Sequence, residues 1–275
     1  MNAPEGLLLI VEAAGYLIAS VAYGAHLLLR QARLAFAARI AVLSAVLAHT
    51  VAIGVHCAVT RQTPFTTPAE TLSASAWAIA LAYLTLELLL KPRPTALGAI
   101  ALPAAFLCLF AGAAMHQAVP IAVSPVLNSR LISLHIIAIL FAFGLLVLAF
   151  GCAALYLAQH RMLKRKHVSG GLFGKLPPLA SLDHLAFTLV AFAFPLLTVG
   201  LAAGVVEAIS GGPTVHWSAD PMVATSLVTW LVYGTYLAGY CAAAWRGPRA
   251  NYLLLGGLLA ALVTYFLPSS THRFG

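Results

Sequence analysis

The chain has 275 residues, 62% of them apolar and only 8% charged, and its mean hydropathy is +0.97. Soluble domains carry roughly 25% charged residues, so this composition cannot cover a water-facing surface, which excludes a soluble enzyme and a disordered chain. The net charge of +8, from 15 basic and 7 acidic residues, does not point to nucleic acid, because basic residues in a membrane protein mark its cytoplasmic connections.

A membrane helix needs about 20 mostly apolar residues to cross a hydrocarbon core of roughly 30 Å. Eight such runs are predicted, at 7–29, 40–60, 71–90, 96–115, 132–158, 185–208, 222–244 and 250–268. Each is continuous instead of alternating, which predicts helices and not strands of a barrel. The first run is preceded by Glu5 and by no Lys or Arg, so it is expected to be a retained span and not a cleaved signal. KPRP at 91–94 and LPP at 176–178 are expected to stop or start helices.

The connections alternate in charge. One set holds Arg30, Arg33 and Arg39, then Lys91 and Arg93, then Arg161, Lys164, Arg165, Lys166 and Lys175, then Arg246 and Arg249. The other holds only Arg61, Arg130 and Arg273. Twelve basic residues against three place the first set in the cytoplasm, and both termini outside. The expected architecture is therefore all-α: one polytopic membrane domain over 1–275 with eight transmembrane helices, multi-pass in the inner cell membrane. Its surroundings are the lipid bilayer. The long basic connection from about Gln159 to His184 is expected to be a solvated, lipid-anchoring loop.

Ten histidines are sorted by this topology. His56, His116, His135, His216 and His272 fall at the outer ends of spans or in outer connections, and His26, His160, His167 and His184 near the cytoplasmic face. His49 lies inside the second span, where an ionisable group is costly; it is either functional or bonded to a neighbouring helix. Five imidazoles at one face with few carboxylates suggest an iron porphyrin more than a hydrolytic metal site. A lone histidine at a helix end, such as His56 or His116, is ordinarily an interfacial polar residue. Cys57, Cys108, Cys152 and Cys241 are far apart, with no CxxC, and read as small hydrophobes. In SGGPTVHWSADPMVATS, Asp220-Pro221 suits a helix start, Asp as cap and Pro at the first position. Trp217 suits either an interfacial belt or a flat wall for a porphyrin.

Several stretches resemble the cytochrome c assembly membrane family, whose members carry a Trp-rich outer loop. The resemblance runs from about Ala48 to the C-terminus. Glu70-Thr-Leu-Ser-Ala-Ser-Ala-Trp77, with Tyr83 and Glu87, is similar to the family's glutamate-led third span. LPPLASLDHLAFTLVAFAFPLLTVGLAAG (176–204), SLVTWLVYGTYL (226–237) and the terminal TYFLPSSTHRFG resemble further family segments. The resemblance implies haem b, carried sub-stoichiometrically, with His135 and His272 as axial ligands of the iron. Trp217 would pack on the porphyrin, Asp220 belongs to the same loop, and Arg130 and Arg273 would pair with propionates. Of the family's loop pattern only Trp217, Asp220 and Pro221 match; Ala219, Met222, Val223 and Thr225 replace a Trp, the Lys-Glu pair and the last Trp. Ala238 stands where synthase members have a histidine partner for the one resembling His49.

The eroded loop is closest to HemX-like members. The expected function is haem handling in cytochrome c biogenesis at the outer face, by binding or presenting haem and not as a stand-alone haem lyase. The alternative is a HemX-like, non-enzymatic regulator or assembly partner without haem. Either would involve other cytochrome assembly or haem-synthesis proteins. A small-solute transporter is disfavoured by the lack of an inverted repeat.

The charge asymmetry makes a direct prediction. With the four native cysteines replaced, a single cysteine introduced between residues 160 and 175 reacts with an impermeant maleimide only from the cytoplasm, and Ser210→Cys only from outside. Reversed labelling would invert the topology.

Overall fold

A computed structural model describes residues 3–61, 63–115, 129–166, 174, 176–210 and 220–267 of the chain. Eight helices occur among them: α1 (Ala3–Leu29), α2 (Ala32–Thr60), α3 (Pro68–Leu89), α4 (Thr95–Ala114), α5 (Arg130–Lys164), α6 (Leu179–Ser210), α7 (Pro221–Ala242) and α8 (Pro248–Phe266). The first seven are long and apolar enough to cross a membrane. The 19-residue α8 coincides with the last expected run and is about 28 Å long, close to the core thickness. No strand occurs among the described residues.

Helix length and apolar length differ because a helix does not end where hydropathy falls. α2 begins eight residues before the apolar run expected at 40, so Arg33 and Arg39 are helical residues and not loop charges. α5 has 35 residues, about 52 Å, and carries Arg161 and Lys164 in its last turn, where cations complement the helix dipole. KPRP lies between α3 and α4, and LPP immediately precedes α6.

The helices group into two compact units, one of Met1–Ala118 with Arg161–Pro178, the other of Val119–His160 with Leu179–Gly275. In the first, α1 packs on α2 and α4, and α3 on α4 and α2, closing a ring of four. Its interior is built largely from small side chains: Ala38, Ala45, Ala76, Ala80, Ala101 and Ala105 are fully buried. Lipid tails are as apolar as leucine, so helices gain by close approach and not by hiding large hydrophobes. A Cβ on Gly15 would come within 2.7 Å of the Ala45 Cβ, and one on Gly98 within 2.8 Å of the Tyr23 ring. The large apolar residues point outward instead: Ile10, Phe36, Leu89 and Phe110 are each more than 60% exposed. Such a surface is stable only against hydrocarbon.

One buried polar cluster joins three helices of this ring near the α1–α2 turn. The fully buried Glu87 of α3 accepts two bonds at Oε1 from Arg39 of α2, from Nε at 3.2 Å and from a terminal nitrogen at 3.1 Å. Its Oε2 accepts a bond from the Tyr23 hydroxyl of α1. Tyr23 meets Tyr83 edge to face at 5.3 Å.

In the second unit α6 packs on α7 and α7 on α8. Trp230 stacks on Phe194 at 5.4 Å and donates to the Thr198 hydroxyl at 2.9 Å. Asn251 of α8 donates to Asp183 of α6 at 3.2 Å.

Removing one member of a buried charge pair leaves the other uncompensated and costs about 3–5 kcal/mol, whereas replacing both by apolar residues costs far less. Glu87→Ala should therefore lower the unfolding temperature in detergent sharply, and Arg39→Met combined with Glu87→Met should recover much of the loss. Equal losses in the single and double variants would show that the pair does not hold the ring together.

Candidate functional site

His135 lies in the second turn of α5 and is half buried against α6. Its Nδ1 is 2.7 Å from the carbonyl oxygen of Gly200. A carbonyl only accepts, so Nδ1 carries the proton and the lone pair falls on Nε2. A backbone carbonyl on one ring nitrogen fixes the tautomer and orientation of an imidazole, as it does for many metal-binding histidines. The ring can lie this close because of Gly204, one helical turn beyond Gly200 on the same face of α6. A Cβ there would sit 2.7 Å from Nδ1 and 2.9 Å from Cε1.

A second tie holds the start of α5. The Ser129 hydroxyl donates to Glu207 of α6 at 2.9 Å and accepts from the Leu131 amide at 3.2 Å, capping the helix. Arg130, the first residue of α5, is exposed. Asp220 is buried and is the N-cap of α7: it accepts from the Met222 amide at 2.9 Å, and Pro221 occupies the first helical position. The Asp-Pro reading of a helix start is thus what the structure has. Trp217, His272, Arg273, His116 and His216 lie outside the described residues.

His49 has a different environment. It is 1% exposed, with Nδ1 3.1 Å from the Tyr16 hydroxyl of α1 and Nε2 3.0 Å from the Ser73 hydroxyl of α3. Glu12 Oε2 stands 3.8 Å from Nδ1. Both ring nitrogens are engaged, so His49 joins three helices, which is the neighbour-bonded reading of a buried histidine. His56 Nε2 is 3.6 Å from Glu70 Oε1, while Glu70 closes a capping box with Thr67 and accepts from the Thr66 amide and hydroxyl at 2.7 Å each. His26 donates through Nδ1 to the Gln31 carbonyl at 2.9 Å. Among the described residues no three of His, Cys, Asp and Glu gather as a metal cluster.

Sequence reasoning passed over Glu207 and Glu12. The available signal was an acid inside an otherwise apolar span, a costly placement that calls for a partner. It also passed over Gly204, whose importance lies in an atom that is missing.

The profile of the family described as "Cytochrome C assembly protein" matches residues 67–273. Among curated relatives, the chain is 30% identical over 179 residues to a cytochrome c biogenesis protein CcsA of Guillardia theta, covering 58% of each chain. It is 27% identical over 249 residues to CcsA of Porphyra purpurea, covering 75% of this chain and 76% of that one. Over 99 residues it is 35% identical to CcsA of Gloeobacter violaceus, 34% of this chain and 29% of that one. No solved structure matches. With long apolar helices whose outward faces suit hydrocarbon, and with the family profile spanning most of its length, the chain is a multi-pass membrane protein that belongs to the cytochrome c assembly protein family.

Proposed function

We propose that this protein binds haem b where α5 begins, at the outer face of the inner membrane, and holds it for delivery in cytochrome c biogenesis. The observation that carries the reading is the His135–Gly200 bond, which selects the tautomer with its lone pair on Nε2 and limits the ring's rotation. By resemblance to the family, His272 would supply a second imidazole to hold the iron. Arg130 and Arg273 have the guanidinium chemistry that suits propionates, and Trp217 a flat apolar face for the macrocycle. Asp220 holds the end of the loop in place as a helix cap.

Haem bound there supplies an iron porphyrin to be passed on; the chain's own groups bind and orient it, and none is assigned a covalent step. Both termini lie outside in this reading, and the partners are other cytochrome assembly or haem-synthesis proteins. A second reading, a HemX-like regulator or assembly partner without haem, is favoured by the α7 start: Met222, Val223 and Thr225 stand in place of the loop's Lys-Glu pair and last Trp.

Two imidazoles on one iron give a six-coordinate, low-spin spectrum. Purified protein is expected to show that spectrum at sub-stoichiometric haem. His135→Ala and His272→Ala should each reduce the haem content sharply, and Trp217→Ala less, since it removes packing and not a metal bond. His49→Leu should leave the haem per folded molecule unchanged. A monodisperse protein that stays haem-free after exposure to hemin would favour the regulator, and full occupancy in both ligand variants would place the iron elsewhere.

Seating His135 on α6 is a separate matter. Gly204→Leu should displace the ring and lower haem content while retaining much of the protein's monodispersity. Unchanged haem in that variant would mean that the close packing of His135 does not matter for binding.

A further inference from the structure

At the end of the first unit where α1 finishes and α2 and α4 begin, a cavity of about 490 Å³ is lined by His26, Arg39, Lys91, Arg93 and Phe36 among others. Arg39 is balanced by Glu87. Lys91 and Arg93 are exposed and have no carboxylate within ion-pair distance among the described residues. The starts of α2 and α4, Ala32 and Thr95, also line the cavity. Neither helix has a side-chain cap or an acid in its first turn, unlike α3 at the opposite end with its Glu70 capping box. Two helix N-termini without side-chain caps and two cations without an ion-pair partner among the described residues therefore face one space, and the helix dipoles and the charges favour an anion.

That space does not end at the basic residues. Phe36 also lines a groove of about 550 Å³ between α1 and α2, walled by Val11, Ile18 and Ile40 and floored by Gly15. Gly15 and His26 are eleven residues apart on α1, three turns along nearly the same face, which is about 16 Å of helix axis. This matches one leaflet's half of a hydrocarbon core of roughly 30 Å. The groove opens toward the side on which Phe36 and Ile40 are exposed.

We propose that the first unit carries a binding site for one anionic glycerophospholipid, its phosphate in the basic cavity and an acyl chain in the α1–α2 groove. A free phosphate would use the cavity alone; the continuity through Phe36 is what selects an amphiphile. A zwitterionic lipid fits the groove but brings a cation to a space that already holds several.

The test uses the full-length protein in a neutral detergent, with ligand-induced shifts of the unfolding temperature as readout. The probes are phosphatidylglycerol, phosphatidylcholine with the same acyl chains, and inorganic phosphate. Phosphatidylglycerol should stabilise the protein at concentrations where the other two do not. Removing both charges, in Lys91→Gln with Arg93→Gln, should weaken the response about thirtyfold, since each basic residue near an anionic lipid surface contributes about fivefold. Ala37→Trp, which fills the exposed side of the groove and leaves the charges intact, should weaken it as well. Lys164→Gln with Arg249→Gln removes the same charge elsewhere and should leave the response unchanged. Equal stabilisation by both lipids, an equal effect of phosphate alone, an undiminished response in either site variant, or an equal loss in the charge-matched control would each overturn the proposal.

Discussion

Hydrocarbon offers no hydrogen-bonding partner, and each polar group carried into it must find one on another part of the chain. Several of the polar side chains inside this protein accordingly bridge helices. Glu87 ties α3 to α2 and α1 through Arg39 and Tyr23. His49 ties α2 to α1 and α3 through Tyr16 and Ser73. Asp183 and Asn251 tie α6 to α8, and Ser129 and Glu207 tie α5 to α6. In a fold with little hydrophobic drive between helices, these bonds and the close small-residue seams decide which helix lies against which.

The same constraint separates two kinds of histidine. His49 has both nitrogens bonded to hydroxyls, and its environment is complete within the first unit. His135 Nδ1 is bonded to a backbone carbonyl, and the carbonyl's inability to donate determines where the ring proton resides. The imidazoles are chemically identical; what differs is the partner, a pair of hydroxyls for one and a backbone carbonyl for the other. Asp220 caps the start of α7 in the same unit.

Eight helices were legible from apolar run length, because the bilayer sets a minimum length that little else in a sequence imitates. Their ends were less so. Arg39 stops a hydropathy scan, yet the backbone continues helically through it because Glu87 receives its charge. The Asp-Pro start of α7 was readable from local chemistry alone. His135 was readable only by resemblance to the family, and its seat not at all: Gly200 contributes a carbonyl and Gly204 a vacancy, and neither has a side chain for a pattern to detect. Glu207 and Glu12 were visible as acids in apolar runs, but their partners Ser129 and His49 became apparent only once helices had been placed side by side.

The close fit between His135 and Gly204 has a consequence for inheritance. The position of the ring is encoded at two sites 69 residues apart, one by what it adds and the other by what it withholds. Changing Gly204 to alanine adds a single methyl group and leaves the histidine codon untouched, but that methyl would fall on the imidazole itself. A lineage can thus lose the seat of the ring without losing the ring. A descendant chain that retains the histidine alone should not be assumed to have kept the site, whereas one that retains both has kept the geometry that orients it.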